Sequence, residues 1–394
     1  TLSYKILEDN PTIKERTDFS TTFTENTTGT LFVTDQTQDE SSVYYYSGNT
    51  TNNWVKFGDT SCTYNGYRVY YYDDKIENKM NKTYVVTGIK KEECLSTNVC
   101  IINQGLGDNY VVGLTDCKNS TNEKATYNES AGIYWRIIRI NENGSIRMLY
   151  SGTSPNTTEG YVELSAFNES NNDPMYVGYM YGISGSLKNN RSYYNNSKIK
   201  DSIYGWYDKI LRFRTSFVNT SDNLYCNDKS VYNDLYSMNN AFNYGVYTRL
   251  NNFTPTYLCG GNGTGGLFET TQADYDLTDE IGLMTADEIV FAGGSINSGL
   301  TNPYAWYYTN SEGNSITNSS SWWTMSPSKW DGTKANVWIV DTNGKLDENG
   351  NVSTSYAVRP VISVYSDAYV MSGNGTPENP YILFDNPYQS IPWG

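Results

Sequence analysis

The sequence contains no histidine. Imidazole is the usual general base and a common metal ligand. Ser-His-Asp triads, Cys-His dyads and His-ligated zinc sites are therefore excluded. No apolar run approaches the ~18 residues of a membrane-spanning helix, so membrane insertion is not expected. Charge is sparse and lopsided: 28 Lys and Arg stand against 43 Asp and Glu, a formal net charge of −15. With no basic stripe to displace phosphate counterions, nucleic acid and anionic membrane are not expected partners. No glycine-rich phosphate cradle and no Cys-x-x-C pair occurs. No cofactor and no enzymatic role are expected. No basic-then-apolar leader opens the sequence at Thr1, and the simplest reading is a mature product that has lost its signal segment.

What is abundant is aromatic: 37 Tyr, 12 Phe and 9 Trp among 394 residues. That load offsets a hydrophobic content of only 38% and argues for a packed chain over a disordered one. The length fits two domains, or one large domain with an insertion. The six cysteines are Cys62, Cys94, Cys100, Cys117, Cys226 and Cys259. An even number without metal-binding spacing makes disulfides in an oxidising compartment the default, ahead of free buried thiols.

Strand signals dominate. Residues 1–32 read as an extended, threonine-rich arm that Asn10-Pro11 keeps from being helical. Its apolar Phe19, Phe23, Leu31 and Phe32 need a groove, in their own domain or in a second copy. Val43–Tyr46 and Trp54–Phe57 are short strands. Ile133–Ile140 and Ser145–Tyr150 flank Asn143-Gly144, a turn pair that accepts positive φ. The four cysteines between Phe57 and Ile133 mark residues 62–130 as a small stapled insertion. The main domain is then 33–61 plus 131–394. Cys226 and Cys259, alone outside the insertion, are expected to bond each other. The other four pair within the insertion, in one of three ways.

Residues 151–198, polar and rich in Gly, Asn and Ser, read as mostly loop. Ile199, Ile203, Trp206, Tyr207, Ile210 and Leu211 line one helix face, with Asp201 or Ser202 as a cap. A shorter helix starts at a capping box, Thr285 with Glu288, and stops at Gly293-Gly294. Strands follow at Ser321–Met325, Asn336–Val340 and Tyr356–Tyr365, the last interrupted by Pro360. The fold class is α+β and β-rich: a twisted antiparallel sheet, a few short helices and long loops.

Some residues invite a chemical reading. Asp287 and Glu288 form an acid pair, better explained by capping and the helix dipole than by acid–base work. Asp341–Gly350 is oxygen-rich, but its Asn-Gly pairs are ordinary turns and it lacks EF-hand spacing. Arg359, inside an apolar strand, is expected to form a buried salt bridge, with a glycan or ligand carboxylate as the alternative. Tyr44–Tyr46 and Tyr70–Tyr72 are more simply core-and-surface strands than sugar platforms. Sixteen Asn-x-Ser/Thr sequons occur, among them Asn26, Asn81, Asn156, Asn219, Asn252 and Asn318, candidate glycosylation sites.

Several phrases resemble an uncharacterised family of large secreted surface proteins of Gram-positive-lineage bacteria. They are Asn52–Gly58, Tyr134–Arg139, Tyr225–Ser230, Gly282–Gly294, Trp323–Pro327 and Val358–Val361. The second half also resembles the formylglycine-generating-enzyme and C-type-lectin-like superfamily. That likeness implies a lectin-like lobe over about 199–366, followed by a terminal strand module, 367–394. The enzymes of that superfamily use two late cysteines, and none follows Cys259 here. Gly373–Leu383 is similar to the run that often ends a module in wall-associated proteins.

Together these readings lead to an extracellular, cell-surface protein. The first expectation is a self-assembling, pilus-like filament or layer subunit, with a second copy as partner and the arm as connector. The second is a lectin-like adhesin that binds a glycan or host surface.

Overall fold

The computed structural model describes residues 1–35, 37, 41–57, 132–191, 194–211, 218, 224–232, 235–259, 280–299 and 305–384, with strand backbone also at 63–126 and 276–278. It divides into two compact units. The first comprises Thr1–Lys56, Tyr134–Tyr204 and Val218–Leu383; the second comprises Phe57–Ile133, Gly205–Phe217 and Phe384–Gly394.

Helix α1 (Leu2–Asp9) leads into β1 (Thr12–Glu15), β2 (Thr30–Thr34), β3 (Val43–Tyr45) and β4 (Trp54–Phe57). The next strands are β5 (Thr63–Tyr64), β6 (Gly66–Asp73), β7 (Lys79–Thr87), β8 (Cys94–Ser96), β9 (Val99–Ile102), β10 (Tyr110–Gly113) and β11 (Ala125–Thr126). After them come β12 (Ile133–Ile140), β13 (Ile146–Tyr150), β14 (Glu163–Ala166) and β15 (Met180–Tyr181), then α2 (Leu187–Arg191), β16 (Asn195–Asn196) and α3 (Lys198–Ile210). The middle of the chain holds β17 (Leu224–Cys226), β18 (Phe242–Asn243), α4 (Gly245–Asn251), β19 (Asp276–Thr278) and α5 (Ala286–Phe291). It closes with β20 (Trp322–Trp330), β21 (Ala335–Val340), β22 (Leu346–Asn351), β23 (Ser355–Val358), β24 (Val361–Val364), β25 (Tyr369–Ser372) and β26 (Tyr381–Phe384).

The second unit holds a five-stranded sheet, β7-β6-β10-β9-β8, and a β11-β5 pair. Cys94 and Cys100 stand opposite each other in its register, while Cys62 and Cys117 lie outside the described residues. The pairing of these four cysteines lies outside them too.

The first unit is built on a nine-stranded sheet that forks at β12, curled into a half-barrel. One edge of β12 pairs with β13. The other is shared: Arg139 and Ile140 pair with β3, and Ile137 N–H donates to Asn53 O (2.8 Å) ahead of β4. One branch runs β3-β2-β1, the other β4-β26-β25. Polar groups fill the fork because backbone there lacks a ladder partner. Arg136 Nε donates to Asn53 Oδ1 (2.6 Å), and its guanidinium lies 4.1 Å over Trp54. Asn10 donates to Tyr46 Oη (2.9 Å) and accepts from Asn52 Nδ2 (2.9 Å). The first unit also holds a six-stranded sheet, β14-β23-β20-β21-β22 with β18 on β20. Trp54, Trp135, Trp306, Trp322, Trp323 and Trp338 are fully buried and dominate the core.

Four expectations change. The sheets are mixed, not antiparallel: β1 runs parallel to β2, β26 to β4 and β20 to β23. The arm is not extended throughout. Thr1 caps α1, Lys5 bridges Glu8 (2.9 Å) and Asp9 (2.7 Å), and Leu2 and Ile6 are buried. Asn10-Pro11 ends that helix; it does not prevent it. Residues 151–198 are mostly irregular, as expected, with the short elements β14, β15, α2 and β16 set among them. The cap of α3 is Ser197, whose hydroxyl accepts from Lys200 N–H (3.3 Å), not Asp201 or Ser202. The long final strand is two strands in different sheets: β23 belongs to the six-stranded sheet and β24 to the nine-stranded one, with Arg359-Pro360 at the crossing.

Candidate functional site

Among the described residues of the first unit, six buried or nearly buried ionisable side chains gather around the start of α5. The capping box is present: Glu288 N–H donates to Thr285 Oγ1 (3.1 Å), and Thr285 N–H donates to Glu288 Oε2 (2.8 Å). The other oxygen, Oε1, lies 3.0 Å from Arg147 Nε and 3.5 Å from an Arg139 terminal nitrogen. Arg139 and Arg147 are directly opposed in the β12–β13 ladder. Like charges so placed repel; the single buried carboxylate offsets that repulsion. Burial pulls the Arg139 guanidinium below its ordinary value, and Glu288 pulls it back up.

Each arginine also covers a tyrosine, Arg139 at 4.3 Å over Tyr257 and Arg147 at 4.4 Å over Tyr225. The Cys226–Cys259 disulfide, with Cα atoms 5.6 Å apart, ties together the segments carrying these two rings. Tyr225 is anchored further by its hydroxyl, which donates to Val361 O (2.7 Å). Tyr257 stacks on Phe291 of α5 (4.1 Å, 13°).

Asp287 faces the other way. Arg249 of α4 grips it with two prongs (3.2 and 3.0 Å) and reaches Asp228 with its remaining nitrogen (3.2 Å). Thr256 N–H donates to Asp287 (3.0 Å) and Ser230 N–H to Asp228 (2.9 Å). Burial lowers the Arg249 guanidinium, but the two carboxylates outweigh it and raise it above its ordinary value. Burial pushes Asp228 upward, partly offset by Arg249. One side of α5 thus holds two carboxylates and one guanidinium, the other one carboxylate and two guanidiniums, so the cluster is neutral. The expected cap role of Glu288 is present, and Asp287 stands in the first turn of α5 as expected, where it is also an ion-pair partner.

Arg359 is fully buried but makes no salt bridge among the described residues. Its guanidinium donates to Tyr150 O (3.0 Å), Gly160 O (3.1 Å) and Tyr307 O, and to Ser151 Oγ (3.3 Å). It lies 4.9 Å from the Trp322 ring. Backbone carbonyls supply the acceptors that a carboxylate was expected to supply. Burial lowers its pKa to about 9.

The arm aromatics lie in their own unit. Phe19 meets Phe291 edge-on (5.2 Å), Phe23 meets Phe32 (5.2 Å), and Phe32 stacks on Tyr45 (5.6 Å). Leu31 is fully buried. Phe23 N–H donates to Gly293 O (2.9 Å). Gly293 has φ +116°, and a Cβ there would stand 2.3 Å from Phe23 O, so glycine is required both to end α5 and to admit the arm. Arg16 secures the strap by donating to Val290 O (2.8 Å).

Tyr45 and Tyr46 are core residues, whereas the Tyr70–Tyr72 side chains lie outside the described residues. Asn26, Asn156, Asn252 and Asn318 are all exposed; Asn219 and the Asn81 side chain lie outside the described residues. Asp341 Oδ1 accepts from Asn343 N–H (2.8 Å) and Lys345 N–H (2.9 Å), a self-closed turn. Among the described residues no acidic or cysteine cluster is placed to hold a metal.

Residues 251–366 match the family model of a domain of unknown function, DUF6273. No curated protein and no solved structure matches the chain. The matched DUF6273 segment contains Tyr257, Cys259, Asp287, Glu288 and Arg359. Their partners Arg139, Arg147, Asp228 and Arg249 lie before it, so the ion-pair cluster needs chain from outside the matched domain. No sequence signal ties Arg139, Arg147 and Arg249 to α5; only proximity in the fold does.

Proposed function

We propose that this chain is an exported structural subunit that associates with further copies of itself at a cell surface. The observation that carries this reading is the Cys226–Cys259 bridge beneath the α5 cluster. A bridge joining two core segments favours folding in an oxidising compartment. Around it, Glu288 and Asp287 are engaged by arginines and by backbone N–H groups. Side chains so engaged stiffen a scaffold and are poorly placed to exchange protons with a substrate. Sedimentation velocity over a concentration series, with negative-stain imaging, tests the proposal. Concentration-dependent assemblies support it; a monomer at every concentration removes it.

A lectin-like adhesin is the second reading, and one feature favours it. Phe253, just after α4, has φ +58° and is 37% exposed. A bulky residue in the left-handed region is strained, and such strain concentrates at functional sites. Retention on a glycan array, lost in Phe253→Ala, supports this reading; no retention removes it.

A further inference from the structure

Strand β25 ends the β4-β26-β25 branch of the curled sheet, so its outer edge carries main-chain groups with no ladder partner among the described residues. Helix α1 meets the chain just ahead of it, where Leu2 N–H donates to Ala368 O (2.8 Å). The strand itself stays open: Tyr369 is 61% exposed, Met371 is 48% exposed, Ser372 is exposed and Val370 half-buried. An open edge is a template for another strand, and edges that remain single are blunted by charge or proline. The other end of the same sheet, β1, is blunted in this way by Lys14 and Glu15. Residues 368–376 carry neither a charge nor a proline. This end of the sheet has the chemistry of an edge that is covered.

The occupant follows from the strand's own side chains. In an antiparallel pair related by a two-fold axis, opposed residues share a face and therefore differ by an even number. Tyr369 and Met371 differ by two. With the axis at Val370, Tyr369 of each copy stands opposite Met371 of the other on one face, and the two Val370 side chains oppose each other on the second face. A thioether against an aromatic ring is a favourable contact. The uncharged edge also lets two chains of net charge −15 meet without like charges at the contact. Pairing β25 along the β1 edge of another copy fits worse. Whichever way the strands run, full overlap sets Lys14 or Glu15 on the face of Tyr369 and Met371.

We propose that β25 is a self-recognition edge, and that two copies of this chain join through antiparallel β25–β25 pairing about Val370, with reciprocal Tyr369–Met371 contacts. This rests on the self-association reading above. The contact is small, well under the ~1,200 Å² of a stable interface, so it is weak and acts at high local concentration. A two-fold contact closes on itself and yields pairs; a filament or layer requires a second surface.

The test uses the full chain and two exposed side chains, Tyr369→Lys and Met371→Glu, alone, combined and mixed. Sedimentation equilibrium reads the association constant, and thermal melting confirms an unchanged fold. Each single variant is expected to associate about tenfold more weakly than the native chain, because a charge replaces one member of both cross-strand pairs. The double variant restores association, since the introduced lysine of each copy then faces the introduced glutamate of the other. An equimolar mixture of the single variants associates more strongly than either alone, through one such ion pair and one native Tyr369–Met371 pair. Single variants that weaken association without rescue in the double variant overturn the two-fold register, as would pairing of β25 with β1 or with a foreign strand. A native chain that associates equally with all variants overturns the β25 edge while leaving self-association intact. A native chain that stays monomeric overturns both.

Discussion

Replacing Glu288 with alanine leaves Arg139 and Arg147 facing each other across β12 and β13 with their shared carboxylate gone. The carboxylate and Arg147 are 2% and 3% exposed, so solvent cannot take its place. Breaking a buried pair from one side costs about 3–5 kcal/mol, and losing the cap adds ~1 kcal/mol. At ~2–4 °C per kcal/mol for a unit of this size, the melting temperature should fall by roughly 8–24 °C. Two controls divide the effect. Thr285→Ala removes only the cap and should cost ~1 kcal/mol. Glu288→Gln keeps an oxygen for Thr285 N–H but loses the charge, so it should retain most of the ion-pair penalty. Chemical denaturation with tryptophan fluorescence reads all three. If Glu288→Ala costs no more than Thr285→Ala, the two arginines have other means of solvation and the neutral-cluster argument fails.

Replacing both Cys226 and Cys259 by alanine opens a link between residues 33 apart and should cost about 4 kcal/mol on the chain-entropy model, seen as a lower denaturant midpoint. Phe32→Ala should destabilise the isolated monomer by ~3–5 kcal/mol, since the ring is packed in its own unit; an effect on assembly alone, with unchanged melting, would contradict that placement. Burial raises the phenols of Tyr45, Tyr46, Tyr257, Tyr307 and Tyr381, and that of Tyr150 to about 12. The folded chain then binds more protons than the unfolded one above pH ~10, so this contribution is complete below pH 10 and is lost as pH rises toward 12. Phenolate absorbance should appear together with unfolding in one cooperative step; gradual titration of these tyrosines in a folded chain would refute it.

The hairpin at Asn143-Gly144, the Thr285–Glu288 capping box and the Cys226–Cys259 bridge were all legible in the sequence. The first two are local: a turn needing positive φ and a reciprocal bond over three residues are written in neighbouring letters. The bridge was reached by elimination, as the two cysteines left outside a cysteine-rich segment. The same local reading misjudged residues 1–9. There Asn10-Pro11 was visible, but the burial of Leu2 and Ile6 that makes a helix worthwhile was not.

The partners of Asp287, Glu288 and Arg359 were beyond reach for the same reason. Arg359 comes from a strand that reads as continuous, yet its acceptors are the carbonyls of Tyr150, Gly160 and Tyr307, brought to it from three distant segments. Arg139 lies far before Glu288 in the chain, in a ladder whose register the sequence does not state. Composition, the Asn143-Gly144 turn, the Thr285–Glu288 capping box and the exclusion of histidine chemistry were settled by the sequence alone, because each depends on residues within a few positions or on none at all. Only the tertiary structure decided which buried charge meets which, where the arm packs and which sheet edge is left open, because those follow from chain segments brought together by burial of the tryptophan core.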